Sequence, residues 1–300
     1  MKILCLINEK SGAVLGCGAQ VIQEAAENAA AKSGNIELEV VSGDFGALCE
    51  RVKQASDADA ILCAGGDGTQ AAIAASLLNT DIALLPLPCG TMNLLCRDLG
   101  LPLDVDEAIA AGLASPIVSI DAGCIGDRLF LNNIVFGSYA ELADAREDLR
   151  EVENFDDVSF GVVEAAHALF NADPINFSVT IDGADIRQST NTIVVSNNAV
   201  SGAENLIPYR NRLDEGELYV YLSDASNGAE FAALMADFLG GEVEASERIS
   251  VQKCRECRIS SSAESFSYTV DGDPVETTEP VHMKIAAGAL KVFRPEVRPE

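Results

Sequence analysis

The sequence predicts an α/β domain with a parallel sheet over residues 1–118, followed by a β-sandwich-like domain over 119–300. Three observations carry that prediction. Two short apolar runs, 60–64 and 82–85, each lead into a glycine-bearing loop and then a helix-like segment. Upstream of them, strand-like and helix-like patterns alternate, so the order βαβαβα calls for parallel strands joined by right-handed crossovers. Beyond Pro116 the texture changes to alternating strands and two-residue turns. A chain of 300 residues with 48% hydrophobic and 22% charged residues has material for a large core and, as a prior, two domains.

Residues 2–7, KILCLI, read as the first strand, and the polar loop from Asn8 to Gly12 follows it. Residues 20–32, rich in Ala, Glu and Gln, read as a helix. Ile36, Leu38 and Val40 alternate with Glu37 and Glu39, the mark of a half-buried strand that ends at Ser42-Gly43-Asp44. Leu48, Val52 and Ala55 share one face of a helix over 46–55. The run 60–64 opens into a helix over 70–78, the run 82–85 into one over 94–99, and a short helix spans 105–114. In the second half, strands are expected at 119–125 and 128–135 around a type II′ turn at Gly126-Asp127, and at 175–181 before an Asp182-Gly183 turn. Further strands are expected at 192–196, 217–222, 255–261, 266–270, 281–285 and 290–293, with helices at 139–151, 158–170 and 229–239.

Loops at the carboxyl ends of parallel strands are where open α/β sheets bind ligands, and glycines there let a phosphate approach backbone N–H groups. A lone glycine pair after a strand is an ordinary tight turn, but two longer strings stand here. Gly65-Gly66-Asp67-Gly68-Thr69 closely resembles the GGDGT motif of the diacylglycerol kinase-like lipid kinases. NAD kinases carry the same string. The second loop separates the two: Pro88-Cys89-Gly90-Thr91-Met92-Asn93, with Arg97-Asp98-Leu99-Gly100-Leu101-Pro102 after it, resembles the lipid-kinase pattern P-x-G-T-x-N-D-x-A-R-x-L-G-x-P. Similar segments continue in order: Asp121-Ala122-Gly123 with Phe130-Leu131-Asn132-Asn133, RNRLDEGELYV over 210–220, and Asp271-Gly272-Asp273 in the place of D-G-E.

The resemblance runs from Asn8 to about Pro295 and implies a NAD kinase/lipid kinase-like fold, with ATP and Mg2+ used to phosphorylate a lipid hydroxyl. It implies nucleotide contacts at Asn8, Ser11, Gly12, Ser42, Gly65, Gly66, Asp67, Gly68, Thr69, Gly90, Thr91 and Asn93. The hydroxyls of Thr69 and Thr91 suit phosphate or the metal shell, and Asp67, a bare carboxylate inside a phosphate loop, suits a role linked to magnesium. Asp121 would add to that network. Arg212, Glu215 and Glu217 resemble a structural magnesium site built from two backbone carbonyls and one carboxylate. Asp271 and Asp273 take the place of the general base. Taken alone, D-G-D is a hairpin turn. There are departures: Glu9 replaces a usual proline, Leu94 and Glu215 each replace a usual Asp, and Asp273 a usual Glu.

Composition narrows the partners. A net charge of −27 argues against nucleic acid and against electrostatic docking on anionic lipid. The absence of tryptophan and an aromatic content of 5% leave no stacking platform for single strands. Nine scattered cysteines read as reduced cytosolic thiols, and Cys254-x-x-Cys257 has no second pair to complete a zinc site. No apolar run approaches the length of a transmembrane helix, and residues 2–7, KILCLI, are too few for a signal peptide, so export is not expected. The expected partners are therefore ATP and a lipid alcohol, met in transient contact with a membrane surface from the cytoplasmic side, with a homodimer left open. Two other readings stay open as well: a NAD kinase-like kinase, and a nucleotide- or lipid-binding relative without turnover.

Overall fold

The computed structural model describes residues 1–137, 175–190, 192–204, 207–223 and 249–296. The helices expected at 139–151, 158–170 and 229–239 lie outside them. Two compact units emerge, one of Met1–Ala122 with Ala286–Glu300, the other of Gly123–Ile285.

The first unit begins β1 (Lys2–Asn8), α1 (Gly12–Cys17), α2 (Ala19–Ser33), β2 (Glu37–Gly43), α3 (Phe45–Lys53), β3 (Ala60–Gly65) and α4 (Asp67–Leu77). It continues with β4 (Ala83–Pro88), α5 (Leu94–Leu99) and α6 (Val105–Leu113). The sheet order is β2-β1-β3-β4, all parallel. Strands β3 and β4 are buried at every residue, because helices cover both faces of the sheet. Helices α2 and α6 pack together on one side, α3 and α4 on the other. Strand β2 lies at the edge, which is why its side chains alternate between exposed and half-buried. Asp44 and Asp104 cap α3 and α6 by accepting the N–H groups of Ala47 and Glu107, each at 3.0 Å. The sequence reading missed α1 and began the helix after β3 three residues late.

Strand β5 (Ile117–Ile125) leaves this unit, and the chain returns to it with the end of β18 (Val281–Phe293), whose Val292 pairs with Leu84 of β4. Two separate strands were expected at 281–285 and 290–293; a single strand runs through, with Gly288 at φ 61° inside it. Its burial resumes at Ala289, Leu290, Val292 and Phe293, which belong to the core of the first unit.

The second unit holds β6 (Arg128–Phe130), β7 (Asn133–Gly137), β8 (Ile175–Ile181), β9 (Ala184–Thr190), β10 (Thr192–Asn197), β11 (Gly202–Glu204) and β12 (Ile207–Tyr209). It ends with β13 (Leu218–Ser223), β14 (Ile249–Cys254), β15 (Glu256–Ser261), β16 (Phe266–Val270) and β17 (Asp273–Thr277). One antiparallel sheet runs β14-β13-β10-β7-β16-β17, and β15, β8 and β9 pair in another with the start of β18. Their inner faces share one core, where Phe136 stacks on Tyr268 at 5.3 Å and meets Phe177 edge-on at 6.4 Å. This is the β-sandwich expected from the sequence. Gly126 takes φ 54°, the positive first-position angle a type II′ turn needs. The strand expected over 128–135 breaks at Leu131-Asn132, whose backbone groups are drawn to Asp271 and Arg210 instead of a ladder.

Gly112 lets α6 approach β4: a Cβ there falls on the Leu85 side chain, which is fully buried and has no room to move. Gly112→Ala is expected to cost about 1–3 kcal/mol of stability, read as a lower midpoint in urea unfolding.

Candidate active site

The carboxyl ends of β1, β3 and β4 carry the two glycine loops and the 8–12 loop, and side chains tie all three together. The β1 loop reaches both neighbours. Asn8, buried, donates its Nδ2 to Thr69 Oγ1 at 2.9 Å, and Ser11 donates its hydroxyl to the Cys89 carbonyl at 2.6 Å. Thr69 uses its oxygen as acceptor in that bond, so its own proton stays available to another acceptor. The glycine loops touch directly: a Cβ on Gly90 would sit 2.8 Å from the Gly66 Cα. Asn93 holds the Gly90 turn from both sides, its Oδ1 accepting the Gly90 N–H at 2.7 Å and its Nδ2 donating to the Gly90 carbonyl at 3.0 Å. To do so its backbone adopts the left-handed region at φ 53°, which Asn tolerates better than most residues.

Asp67 completes the clasp. Its Oδ1 accepts the Leu94 N–H at 2.7 Å and its Oδ2 the Asn93 N–H at 3.1 Å. These are orphan donors at the start of α5, which has no side-chain cap of its own. An Asx-turn capping the following helix was the plain alternative for this residue; the helix it serves is α5, 26 residues further on. Burial pushes the Asp67 carboxyl up, and the N–H groups of Leu94 and Asn93 hold it back. Gln70, which sequence reasoning missed, is fully buried and bridges the strand ends, donating to the Gly65 carbonyl at 3.0 Å and the Leu87 carbonyl at 2.9 Å. Its only signal was its place directly after the GGDGT string.

The resulting surface suits an anion. The switch between crossover directions falls between β1 and β3, where such sheets bind ligands. Helix α4 starts at Asp67 with no side-chain cap at Gly66, so the first N–H groups of the helix are left for a partner. Gly12 at the start of α1, Gly68 in the first turn of α4 and Thr91 in the second glycine loop are exposed. Ser42 is exposed at the end of β2 and gives its hydroxyl to Glu9 Oε1 at 2.8 Å. The residue that replaces the usual proline thus engages another expected nucleotide contact.

Asp121 is buried, and its Oδ1 accepts the Gly288 N–H at 2.7 Å within the first unit. In the second unit, Asp271 and Gly272 form the two-residue turn between β16 and β17 at φ 51° and 92°, the type I′ signature. The Asp271 carboxylate turns inward: Oδ2 accepts from Leu131 N at 2.8 Å, and Oδ1 from Asn132 N and Asn133 N at 2.8 and 3.0 Å. Burial pushes its pKa up to about 6, against the pull of those N–H groups and of Arg210. Asp273, two residues on, is exposed and pairs with Arg128 at 3.1 Å.

Magnesium, implied by the resemblance, can be tested against the donors present. Among the described residues no group of three His, Cys, Asp or Glu side chains is placed to hold a metal. Asp67 keeps acceptor capacity beyond its two N–H bonds, which fits a Mg2+ carried by nucleotide phosphates and waters with one protein carboxylate. At the second expected site, Glu215 Oε2 accepts the Ala199 N–H at 3.1 Å, Glu217 O accepts the Asn198 N–H at 3.3 Å, and Arg212 lies 3.8 Å from Glu215 Oε1.

Comparison with known proteins agrees with this geometry. The model of the diacylglycerol kinase catalytic domain matches residues 2–125, and that of the YegS C-terminal NAD kinase beta sandwich-like domain matches residues 133–294. A Pseudomonas aeruginosa protein named probable lipid kinase YegS-like is 25% identical over 284 residues, covering 92% of this chain and 89% of its own length. A diacylglycerol kinase of Staphylococcus carnosus is 24% identical over 237 residues, 77% of this chain and 75% of its own. The fold is shared with a crystal structure of a diacylglycerol kinase from Bacillus anthracis, at a TM-score of 0.69 and 18% identity, over 98% of this chain and 97% of that one.

A Cβ on residue 90 has no room beside the Gly66 Cα, and backbone must shift to make it. Gly90→Ala is expected to weaken ATP binding on the order of tenfold, measured by calorimetry, while circular dichroism stays that of the parent.

Proposed function

We propose a function from one premise: the chain belongs to the bacterial diacylglycerol kinase-like lipid kinase family. It transfers the γ-phosphoryl group of ATP to a hydroxyl of a lipid such as diacylglycerol or a sphingoid or ceramide lipid. The observation that carries this reading is the clasp of three loops, which brings the uncapped N-terminus of α4 and the Thr69 hydroxyl together at the carboxyl ends of β1, β3 and β4. The N–H groups of Gly68 and Thr69 hold phosphate oxygens, with the partial positive charge of the α4 N-terminus behind them. The Thr69 hydroxyl, its oxygen already bonded to Asn8, donates its proton to phosphate. Asp67 is the carboxylate that would hold Mg2+, and Thr91 and Ser42 would contribute hydroxyls. When bound, the metal neutralises charge on the transferring group and its leaving oxygens.

The acceptor hydroxyl loses its proton as its oxygen bonds to the γ-phosphorus and the bond to the β-phosphate oxygen breaks. Asp271 takes that proton. Three N–H donors use three of its roughly four acceptor positions, and the one remaining is on Oδ2, which has a single partner. A carboxylate whose pKa is raised to about 6 is ionised at neutral pH yet more basic than an ordinary one. Asp273 is the second candidate in the same turn. The reading places the enzyme in the cytoplasm, in brief contact with the membrane. Among the described residues no helix is long and apolar enough to cross a bilayer, and the net charge of −27 opposes lasting adhesion to anionic lipid.

Two measurements test the assignment. Gly68→Val puts bulk where phosphate approaches the backbone and is expected to abolish ATP binding in calorimetry with the fold intact. Asp271→Asn is expected to lower kcat about 100- to 10,000-fold with little change in ATP affinity. Because the base must be unprotonated, kcat of the parent rises with pH through about 6 and falls away below it. Near-full kcat in both Asp271→Asn and Asp273→Asn would place the base elsewhere, with Asp121 next in line.

A further inference from the structure

The segment 131–133 lies between two charges of opposite sign. Its N–H groups all point to Asp271. The carbonyls of Leu131 and Asn132 point to Arg210, which is 3% exposed, while that of Asn133 accepts the Asp271 N–H at 2.9 Å: Arg210 Nη1 donates to Leu131 O at 2.6 Å and Asn132 O at 3.4 Å, and also to Asn197 O at 2.6 Å, and Nη2 donates to the Asn132 side chain. Asn197 braces the same stretch, its N–H bonded to Asn132 O at 2.9 Å and its Nδ2 to Leu131 O at 3.2 Å. The carbonyl of Leu131 and the N–H of Asn132 are two ends of one peptide group. So are the carbonyl of Asn132 and the N–H of Asn133. Each of these two groups therefore has the guanidinium at its negative end and the carboxylate at its positive end. Both charges polarise the peptide in the same sense, which strengthens both hydrogen bonds.

We propose that Arg210 is a positioning residue for Asp271, which acts through these two peptide groups to keep the carboxylate ionised and its Oδ2 turned to the acceptor proton. The proposal rests on the reading of Asp271 as the base. Simple anchoring of the 131–133 segment would require neither the charge of Arg210 nor its effect on proton affinity. The direction of the Arg210 influence on Asp271, toward the ionised form, agrees with the geometry. Of the other charged groups of this hairpin, Asp273 is paired with Arg128 of β6 in exposed positions and Glu276 accepts the Ser265 hydroxyl at 2.7 Å.

The test is a carboxyl-carbon NMR titration of Asp271 in the full chain, with the pH profile of kcat beside it, for the parent, Arg210→Gln and Arg210→Lys. Removal of the cation in Arg210→Gln is expected to raise the Asp271 midpoint by about one pH unit or more and to move the acid limb of kcat upward with it, at unchanged KM for ATP. Arg210→Lys keeps a charge but not the fork that serves several carbonyls, so its midpoint rises less. An unmoved midpoint in Arg210→Gln, whatever happens to kcat, overturns the proposal. If that variant does not fold, Arg210→Lys decides by the same criterion. The titration reads Asp271 whether or not it is the base, so full kcat in Asp271→Asn would remove the base assignment while leaving the effect of Arg210 to be measured.

Discussion

The acceptance of two N–H groups by one carboxylate is what the first unit turns on. Asp67 sits at the first turn of α4, yet it caps α5, and so fixes the second glycine loop against the first. Without that bond the start of α5 would be left uncapped, and the 88–93 loop would rest on Asn93, a residue already at positive φ, and on the Ser11 and Arg97 contacts with the Cys89 and Met92 carbonyls. The Gly66–Gly90 contact follows, because the two backbones can approach so closely only when residue 90 carries no Cβ. Asn8 and Ser11 then fasten the β1 loop to both. The helix N-terminus left open by this arrangement is where the proposed phosphates dock. A carboxylate beside an anion site would ordinarily weaken it. Here its charge is shared with backbone donors of a neighbouring helix, which tempers that repulsion.

The second unit uses the same chemistry in another setting. Asp182 and Asp271 each open a two-residue hairpin at positive φ, and each sends its carboxylate to backbone N–H groups of an adjacent segment. Asp182 serves Arg255 and Glu256 at 3.1 Å each, from an exposed turn. Asp271 serves three donors at a half-buried place, with Arg210 behind them. The shared device is structural; what sets Asp271 apart is burial, which raises its proton affinity and makes it suited to the proposed base role.

Much of this was legible in the sequence, and the reasons differ by feature. Strands β3 and β4 stood out as apolar runs because both faces of the sheet are covered. The glycine strings stood out because their spacing is constrained by a backbone contact rather than by side-chain chemistry. The partners of Asp67, Asp121 and Asp271 were not legible, since each pairs with backbone groups from 26 to 167 residues away in sequence, and backbone donors leave no residue signature. For the same reason the break between β6 and β7 was hidden: Leu131 and Asn132 fit a strand by type and leave it only because Asp271 and Arg210 claim their N–H and carbonyl groups. Strand β18 read as two pieces because its middle is half-exposed around Gly288, although pairing continues at both ends.

The central claim is that the clasped loops present ATP to a lipid hydroxyl. The direct test is ATP consumption by the purified chain with Mg2+, measured with and without a lipid extract and with NAD as a control acceptor. The account predicts consumption that depends on the extract and leaves labelled phosphate in the organic phase. Turnover on NAD but not on lipid, or no turnover with either acceptor, would contradict it.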